Sequence, residues 1–218
     1  MEQEIAILIA DLSGYTALTE THGATSAADL IDTYIEIVTN SLVGNASLHQ
    51  SVGDEVLIIS DSPDHLLSTA IMLLQNASGE HNFLQVHGAL HYGKVVNRNN
   101  NYFGSAINIT SRMAAHASAG SFLCSAEFLN ALSSVPVSQA VSKGKYSFKN
   151  VSEEREVFEI KLDTPEQLYI DPVCRMIISR ESSFIAHPVE SNIFFCSRNC
   201  LEVYLKKNAA ISQQESKS

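Results

Sequence analysis

The stretch Ile5 to Thr16, IAILIADLSGYT, limits the possible folds more than any other part of this chain. Its opening six residues are all Ile, Ala or Leu, and such a run is expected of a strand buried on both faces. It passes directly into Asp11 and a turn containing Gly14. A carboxylate where a buried strand meets a glycine turn is costly unless it caps a helix or meets a cation or hydrogen-bond donors. A second such carboxylate occurs in SVGDEVLIIS, where Asp54 follows Gly53 at the entry to another apolar strand. Brought together by neighbouring strands, Asp11 and Asp54 would form a hard-cation site of the kind Mg²⁺ prefers when it also holds substrate phosphates.

The rest of the pattern alternates helices and strands. A short helix is expected over Thr16–Glu20, then a longer one capped at Thr25 or Ser26, with Leu30, Ile31, Tyr34, Ile35, Ile37 and Val38 at core spacing. Ala46–Ser51 and Glu55–Ser60 flank Gly53-Asp54 as a hairpin, and Asp61-Ser62-Pro63 opens a helix to about Gln75. Further strands are expected over Leu84–His91, Lys94–Val96 and Ser121–Ser125, with Gly93 between the first two and Cys124 as a core residue. Helices follow over Ala106–Ala115 and Ala126–Leu132, and Tyr146–Lys149 with Glu156–Lys161 reads as a closing hairpin. This order predicts an α+β fold, helices against a mostly antiparallel sheet.

Fourteen Lys plus Arg against twenty-four Asp plus Glu leave a net charge of −10 and no basic patch, which argues against binding nucleic acid. No run of about 18 apolar residues occurs and MEQE is no basic leader, so a cytoplasmic protein away from the membrane is expected. Cys174, Cys196 and Cys200 crowd the last fifth of the chain. In a reducing compartment this points to a metal site before a disulfide framework.

ADLSGYTALTE, SVGDEVLIIS and HYGKVVNRNNNYFGSAINITSRMAAHASAGSFLCS resemble, in order and spacing, the successive signatures of the class III nucleotide cyclase catalytic domain, over roughly residues 3–161. The resemblance implies a ferredoxin-like sandwich that converts a nucleoside triphosphate, ATP first by family habit, to its 3′,5′-cyclic nucleotide and pyrophosphate. It implies two Mg²⁺ or Mn²⁺ ions on Asp11 and Asp54, with backbone contacts at Leu12 and phosphate contacts at Gly14, Tyr15 and Thr16. It makes Asn108 and Arg112, four apart in INITSR, the pair that orients the ribose and stabilises the transition state. It also implies a homodimer in which these two residues face the partner's aspartates. Lys149 matches the lysine on the terminal phosphates, although the glycine that follows it in the family is Asn150 here. The base-reading lysine and aspartate of the family are replaced by Gln50 and Asn101. That replacement leaves the base open and keeps a second expectation, a non-catalytic nucleotide or metal sensor acting through protein contacts.

Residues 162–168 read as a linker, 169–207 as a second domain and 208–218 as a disordered tail. YIDPVCRMIISRESSFIAHPVESNIFFCSRNCLEVY resembles the YHS domain, a small metal-associated module, with Arg175 where DPVCGM would have glycine. FFCSRNC reads as a strand running into a helix, so Cys196 and Cys200 can share one metal, Zn²⁺ or a similar thiophilic ion, with Cys174. The fourth position is open, with His187 or Asp171 as guesses.

Overall fold

The computed structural model describes residues 2–133, 140–149, 153–160, 169–178, 184–190 and 192–215, with side chains to 209. Strand β1 (Glu2–Leu12) is the centre of the fold. It pairs antiparallel with β3 (Glu55–Ser60) on one side and with β4 (Val86–Arg98) on the other. With β2 (Ser47–Val52), β6 (Phe122–Ser125), β7 (Ala140–Tyr146) and β8 (Arg155–Ile160), the sheet runs β2-β3-β1-β4-β6-β8-β7, and β5 (Asn101–Phe103) pairs with β4. Among these pairs only β4 with β6 is parallel.

The continuous apolar run of β1 is explained by cover on both faces. Ala6, Leu8, Ala10 and Leu12 join the core beneath α1 (Tyr15–Ser41) and α2 (Pro63–Gly79). Ile5, Ile7 and Ile9 join a second core with Ile109 and Met113 of α3 (Ser105–Ala114). By the two-residue period of a strand, Asp11 belongs to the Ile5–Ile9 face.

Helix α1 is interrupted at Gly23, whose φ of 86° and ψ of 167° are not helical, close to the break expected between two helices. Ser62 caps α2, accepting from the His65 amide at 3.3 Å, with Pro63 in the first turn. Helix α4 (Ala126–Ala131) starts in the same way, on Ser125. Cys124 lies in the core, where burial pushes its thiol up to about 12.

Three expectations need correction. Gly93 does not separate two strands, because β4 continues through it from Val86 to Arg98. A Cβ at Gly93 would lie 3.0 Å from the His91 ring and 3.1 Å from Ala106, so glycine lets α3 close on an unbroken strand. The closing hairpin lies earlier than expected, with β7 ending at Tyr146. Its residues AVSKGKY are mostly exposed at the sheet edge, so no apolar alternation marks them as a strand. The third correction concerns the tail: α5 (Arg198–Glu215) runs through much of the segment expected to be disordered. Ala, Gln and Glu in NAAISQQE are good helix formers and continue the helix that begins at Arg198.

His91 is 3% exposed, and its Nδ1 lies 2.7 Å from Ser125 Oγ. Burial, offset by Glu127 and reinforced by Arg155, lowers it to about 4. The fold thus holds this imidazole neutral. Its contribution to stability is complete above the unfolded value near 6.5 and is lost as pH falls toward 4, a change of about 3 kcal/mol. Urea unfolding from pH 7 to pH 4 should show this slope in the wild type, and His91→Gln should flatten it.

The C-terminal module contains the pair β9 (Tyr169–Ile170) and β10 (Ile177–Ile178), the pair β11 (Ile185–Ala186) and β12 (Phe194–Phe195), and α5. Contacts join it to the segment before β4 and to α1. The Ile177 amide donates to the Phe83 carbonyl at 2.6 Å, and Leu84 bridges to Met176. Asn199 Nδ2 donates to the Thr21 carbonyl at 3.0 Å. The linker expected over residues 162–168 lies outside the described residues.

Candidate active site

The end of β1 leads into the first turn of α1, and the β2–β3 turn lies beside it at the end of the central strands. Gly53 takes the left-handed conformation, φ 61°, that lets the chain reverse between Val52 and Glu55. With Ala10 opposite Val56, this reversal sets Asp54 beside Asp11. The Asp54 carboxyl is raised to about 6, first by burial, then by a hydrogen bond with Asp11 and by its charge. Two carboxyls that close, with no ion pair to either among the described residues, are short of positive charge.

Asp11 also lies cross-strand from His87, a residue the sequence reading missed. His87 Nδ1 is 2.9 Å from Ser13 Oγ, and burial lowers its basicity, so it offers the carboxylates a neutral ring and no cation. Its link to Asp11 is a matter of register across seventy-odd residues, for which the local pattern around His87 gave no signal.

Asp11 Oδ1 accepts from the Leu12 amide at 2.9 Å, and the Leu12 side chain is buried, so only its backbone is available to the site. Gly14 then turns with φ 96°, and its carbonyl accepts the Leu18 amide. The amides of Tyr15 and Thr16, in the first turn of α1, consequently have no intrahelical acceptor, a favourable place for an anion.

The remaining candidates are spread over the surface. Asn108 and Arg112 share the outward side of α3, whose inner side is Ala106, Ile109, Thr110 and Met113. Among the described residues no ion pair links Arg112 to the carboxyl pair of its own chain. Gln50 is exposed on β2, next to a register shift between Leu48 and Gln50. Asn101 is exposed on β5, its Nδ2 donating to the Asn99 carbonyl at 3.2 Å. Their sequence neighbours touch, the His49 and Tyr102 rings lying 4.8 Å apart edge to face, so the two amides project from adjoining segments. Lys149 is exposed just beyond β7.

Beside the first turn of α1 lies the cysteine cluster. Cys174 Sγ is 3.5 Å from Cys196 Sγ, which is 3.7 Å from Cys200 Sγ. Hydrogen bonds from Cys174 and then Cys196 pull Cys200 down to about 2, so the group favours a thiolate there. Asp171 is fully buried and is no candidate ligand. One carboxylate oxygen accepts the amides of Val173 and Cys174, and the other accepts that of Cys196 at 2.8 Å. His187 is also engaged elsewhere, accepting the Glu190 amide at 2.9 Å and lying against Phe195 and Tyr204. The group beside the three thiols is His22 of α1, its Nε2 3.6 Å from Cys196 and 3.5 Å from Cys200. One signal for it was in the sequence: a histidine next to Gly23, in the break expected between two helices.

Arg175, where the resemblance expects glycine, has φ 68°, a left-handed conformation that favours glycine. Its Cβ and Cγ pack on Gly14, where an added Cβ would lie 2.5 and 2.6 Å from them.

No protein-family model matches the chain. An uncharacterized protein of Mycobacterium tuberculosis is 31% identical over 152 residues, which cover 69% of this chain and 39% of the relative. An adenylate cyclase of Glutamicibacter nicotianae is 28% identical over 131 residues, covering 58% and 32% respectively. The chain thus spans less than two-fifths of the length of these curated relatives. Among solved structures, an adenylate/guanylate cyclase/hydrolase from Silicibacter pomeroyi matches with a TM-score of 0.61 at 21% identity, over 75% of this chain and all but 1% of that one, the coverage there being 99%. The large sheet and its helices have the class III adenylate/guanylate cyclase fold.

Proposed function

We propose that this chain is a nucleotidyl cyclase that converts a nucleoside triphosphate, ATP foremost, to its 3′,5′-cyclic nucleotide and pyrophosphate for intracellular signalling. The observation that carries this reading is the adjacency of Asp11 and Asp54 at the foot of α1, with one carboxyl driven up to about 6 by burial and its neighbour. Such a pair fits a divalent cation, and Asp11, Asp54 and the Leu12 backbone would hold two Mg²⁺ or Mn²⁺. When bound, these ions supply charge neutralisation on the triphosphate and acidify the ribose 3′-hydroxyl. The amides of Tyr15 and Thr16, turned outward by Gly14, seat phosphate oxygens, and Lys149 adds a cation for the terminal ones.

Asn108 and Arg112 orient the ribose and stabilise charge on the reacting phosphoryl group, and they come from the second copy in a homodimer. Their place on the outward side of α3, with no ion pair from Arg112 to the carboxyl pair of its own chain among the described residues, supports a composite site. The three clustered cysteines hold one Zn²⁺ or similar ion in the C-terminal module. The four cysteines are free thiols, which suits a reducing cytoplasm. Among the described residues no helix is long and apolar enough to cross a membrane.

The test is direct: purified protein with Mn²⁺ or Mg²⁺ and each of the four nucleoside triphosphates, assayed for cyclic product and pyrophosphate. Binding without turnover, under every metal and nucleotide, would leave the sensor reading in its place.

Base choice rests on Gln50 and Asn101. Charged hydrogen bonds to a base contribute about 1.5–3 kcal/mol and neutral ones about 1 kcal/mol, while an amide can serve as donor or acceptor. Discrimination should therefore be weak in the wild type. Gln50→Lys with Asn101→Asp should raise ATP over GTP selectivity about tenfold, the factor that about 1.4 kcal/mol provides. An unchanged ratio of kcat/KM values would remove these two residues from the base pocket.

A further inference from the structure

The cysteine cluster does not belong to the C-terminal module alone. Its fourth member, His22, comes from α1 of the first domain, and the four ligand atoms all lie within 4.8 Å of one another. An ion at the centre of a tetrahedron, with metal–sulfur bonds of about 2.3 Å and a metal–nitrogen bond of about 2.0–2.1 Å, requires about 3.8 Å between sulfurs and about 3.6 Å between sulfur and nitrogen. Two of the three sulfur pairs are at 3.5 and 3.7 Å, His22 Nε2 is 3.6 and 3.5 Å from two of the sulfurs, and the remaining pairs lie within 4.8 Å.

The backbone around the cluster is arranged for these positions. Asp171 fixes the amides of Cys174 and Cys196, and Ser197 Oγ accepts that of Cys200 at 3.2 Å, so the loop and helix bearing the thiols are held from behind. Gly23 breaks α1 immediately after His22, its φ of 86° being a conformation that favours glycine. Asn199 ties the cysteine helix to the Thr21 carbonyl next to His22.

We infer that Cys174, Cys196, Cys200 and His22 together bind one thiophilic divalent ion, Zn²⁺ in class, and that this ion fastens the C-terminal module to α1. The inference rests on the cysteine-site reading above and adds the fourth ligand and its consequence. Binding displaces the protons that remain on the thiols to solvent. The fastened module then keeps Arg175 against Gly14, at the turn where the triphosphate is proposed to sit.

The full-length protein, stripped of metal under reducing and anaerobic conditions, is titrated with Co²⁺ and then Zn²⁺. Visible absorption reports the ligand set, and backbone hydrogen exchange reports docking. Wild type should bind about one Co²⁺ per chain with the intense d–d bands of a tetrahedral thiolate site, and exchange over residues 13–22 should slow. His22→Ala should weaken the ion at least about tenfold, the least effect expected when a direct ligand is lost, and should abolish that slowing. His22→Cys should restore tight binding with stronger sulfur-to-cobalt charge transfer, the mark of a fourth thiolate. Wild-type affinity, spectrum and exchange in His22→Ala would overturn the inference while leaving the cysteine site intact. No cobalt on the wild type, or equal cobalt on Cys196→Ser/Cys200→Ser, would overturn the cysteine site as well.

Discussion

Asp11→Ala and Asp54→Ala proteins are expected to fold normally and to lose cyclic-nucleotide formation by at least about a thousandfold. A bound divalent cation contributes several kcal/mol of charge stabilisation to phosphoryl chemistry, and each 1.4 kcal/mol or so is a factor of ten in rate. The fold should not suffer, because the pair repels itself without a cation. Burial and its neighbour already raise Asp54 to about 6, so at neutral pH its ionised form is held at a cost. Thermal unfolding without divalent metal should therefore show Asp54→Ala no less stable than wild type. Substantial turnover by either well-folded variant would end the assignment of these aspartates to the cation site.

A mixture of Asp54→Ala and Arg112→Ala proteins, each inactive alone, is the second large expected effect. If each site takes its carboxylates from one chain and its arginine from the other, a mixed dimer contains one intact site and one doubly defective site. Random exchange of equal amounts makes half the dimers mixed, so recovery should reach about a quarter of wild-type activity. Mixing at several ratios, with exchange followed by a mass tag, would show the expected maximum at equal amounts. Complete exchange with no recovery would place Asp54 and Arg112 in one and the same chain's site.

The parts of the fold legible from sequence were those with local causes. The run IAILIA advertised its double burial, Ser62-Pro63 its helix start and Gly53-Asp54 its turn, because each signal lies within a few residues of its effect. The closing hairpin was misplaced because β7 is an exposed edge strand without an apolar face. Gly93 misled for the opposite reason: its small size serves His91 and Ala106 across the sheet face, not a turn in the strand. The site divides in the same way. Asp11 and Asp54 stand at strand ends that can be read directly. His87 reaches Asp11 through register, and His22 reaches Cys196, 174 positions away in sequence, through the packing of α1 against the C-terminal segment. Neither relation leaves a periodic trace.

Arg175 pays for its left-handed backbone and in return lies on Gly14, so the C-terminal module and the proposed triphosphate turn share a wall. A ligand that shifts this wall from one side changes the free energy of binding on the other. Reciprocity then fixes the size of the effect: the factor by which nucleotide alters affinity for the ion at Cys174, Cys196, Cys200 and His22 equals the factor by which that ion alters affinity for nucleotide. One coupling constant, measurable from either end, would express how strongly the binding of a thiophilic metal and the binding of nucleotide are tied together in this chain.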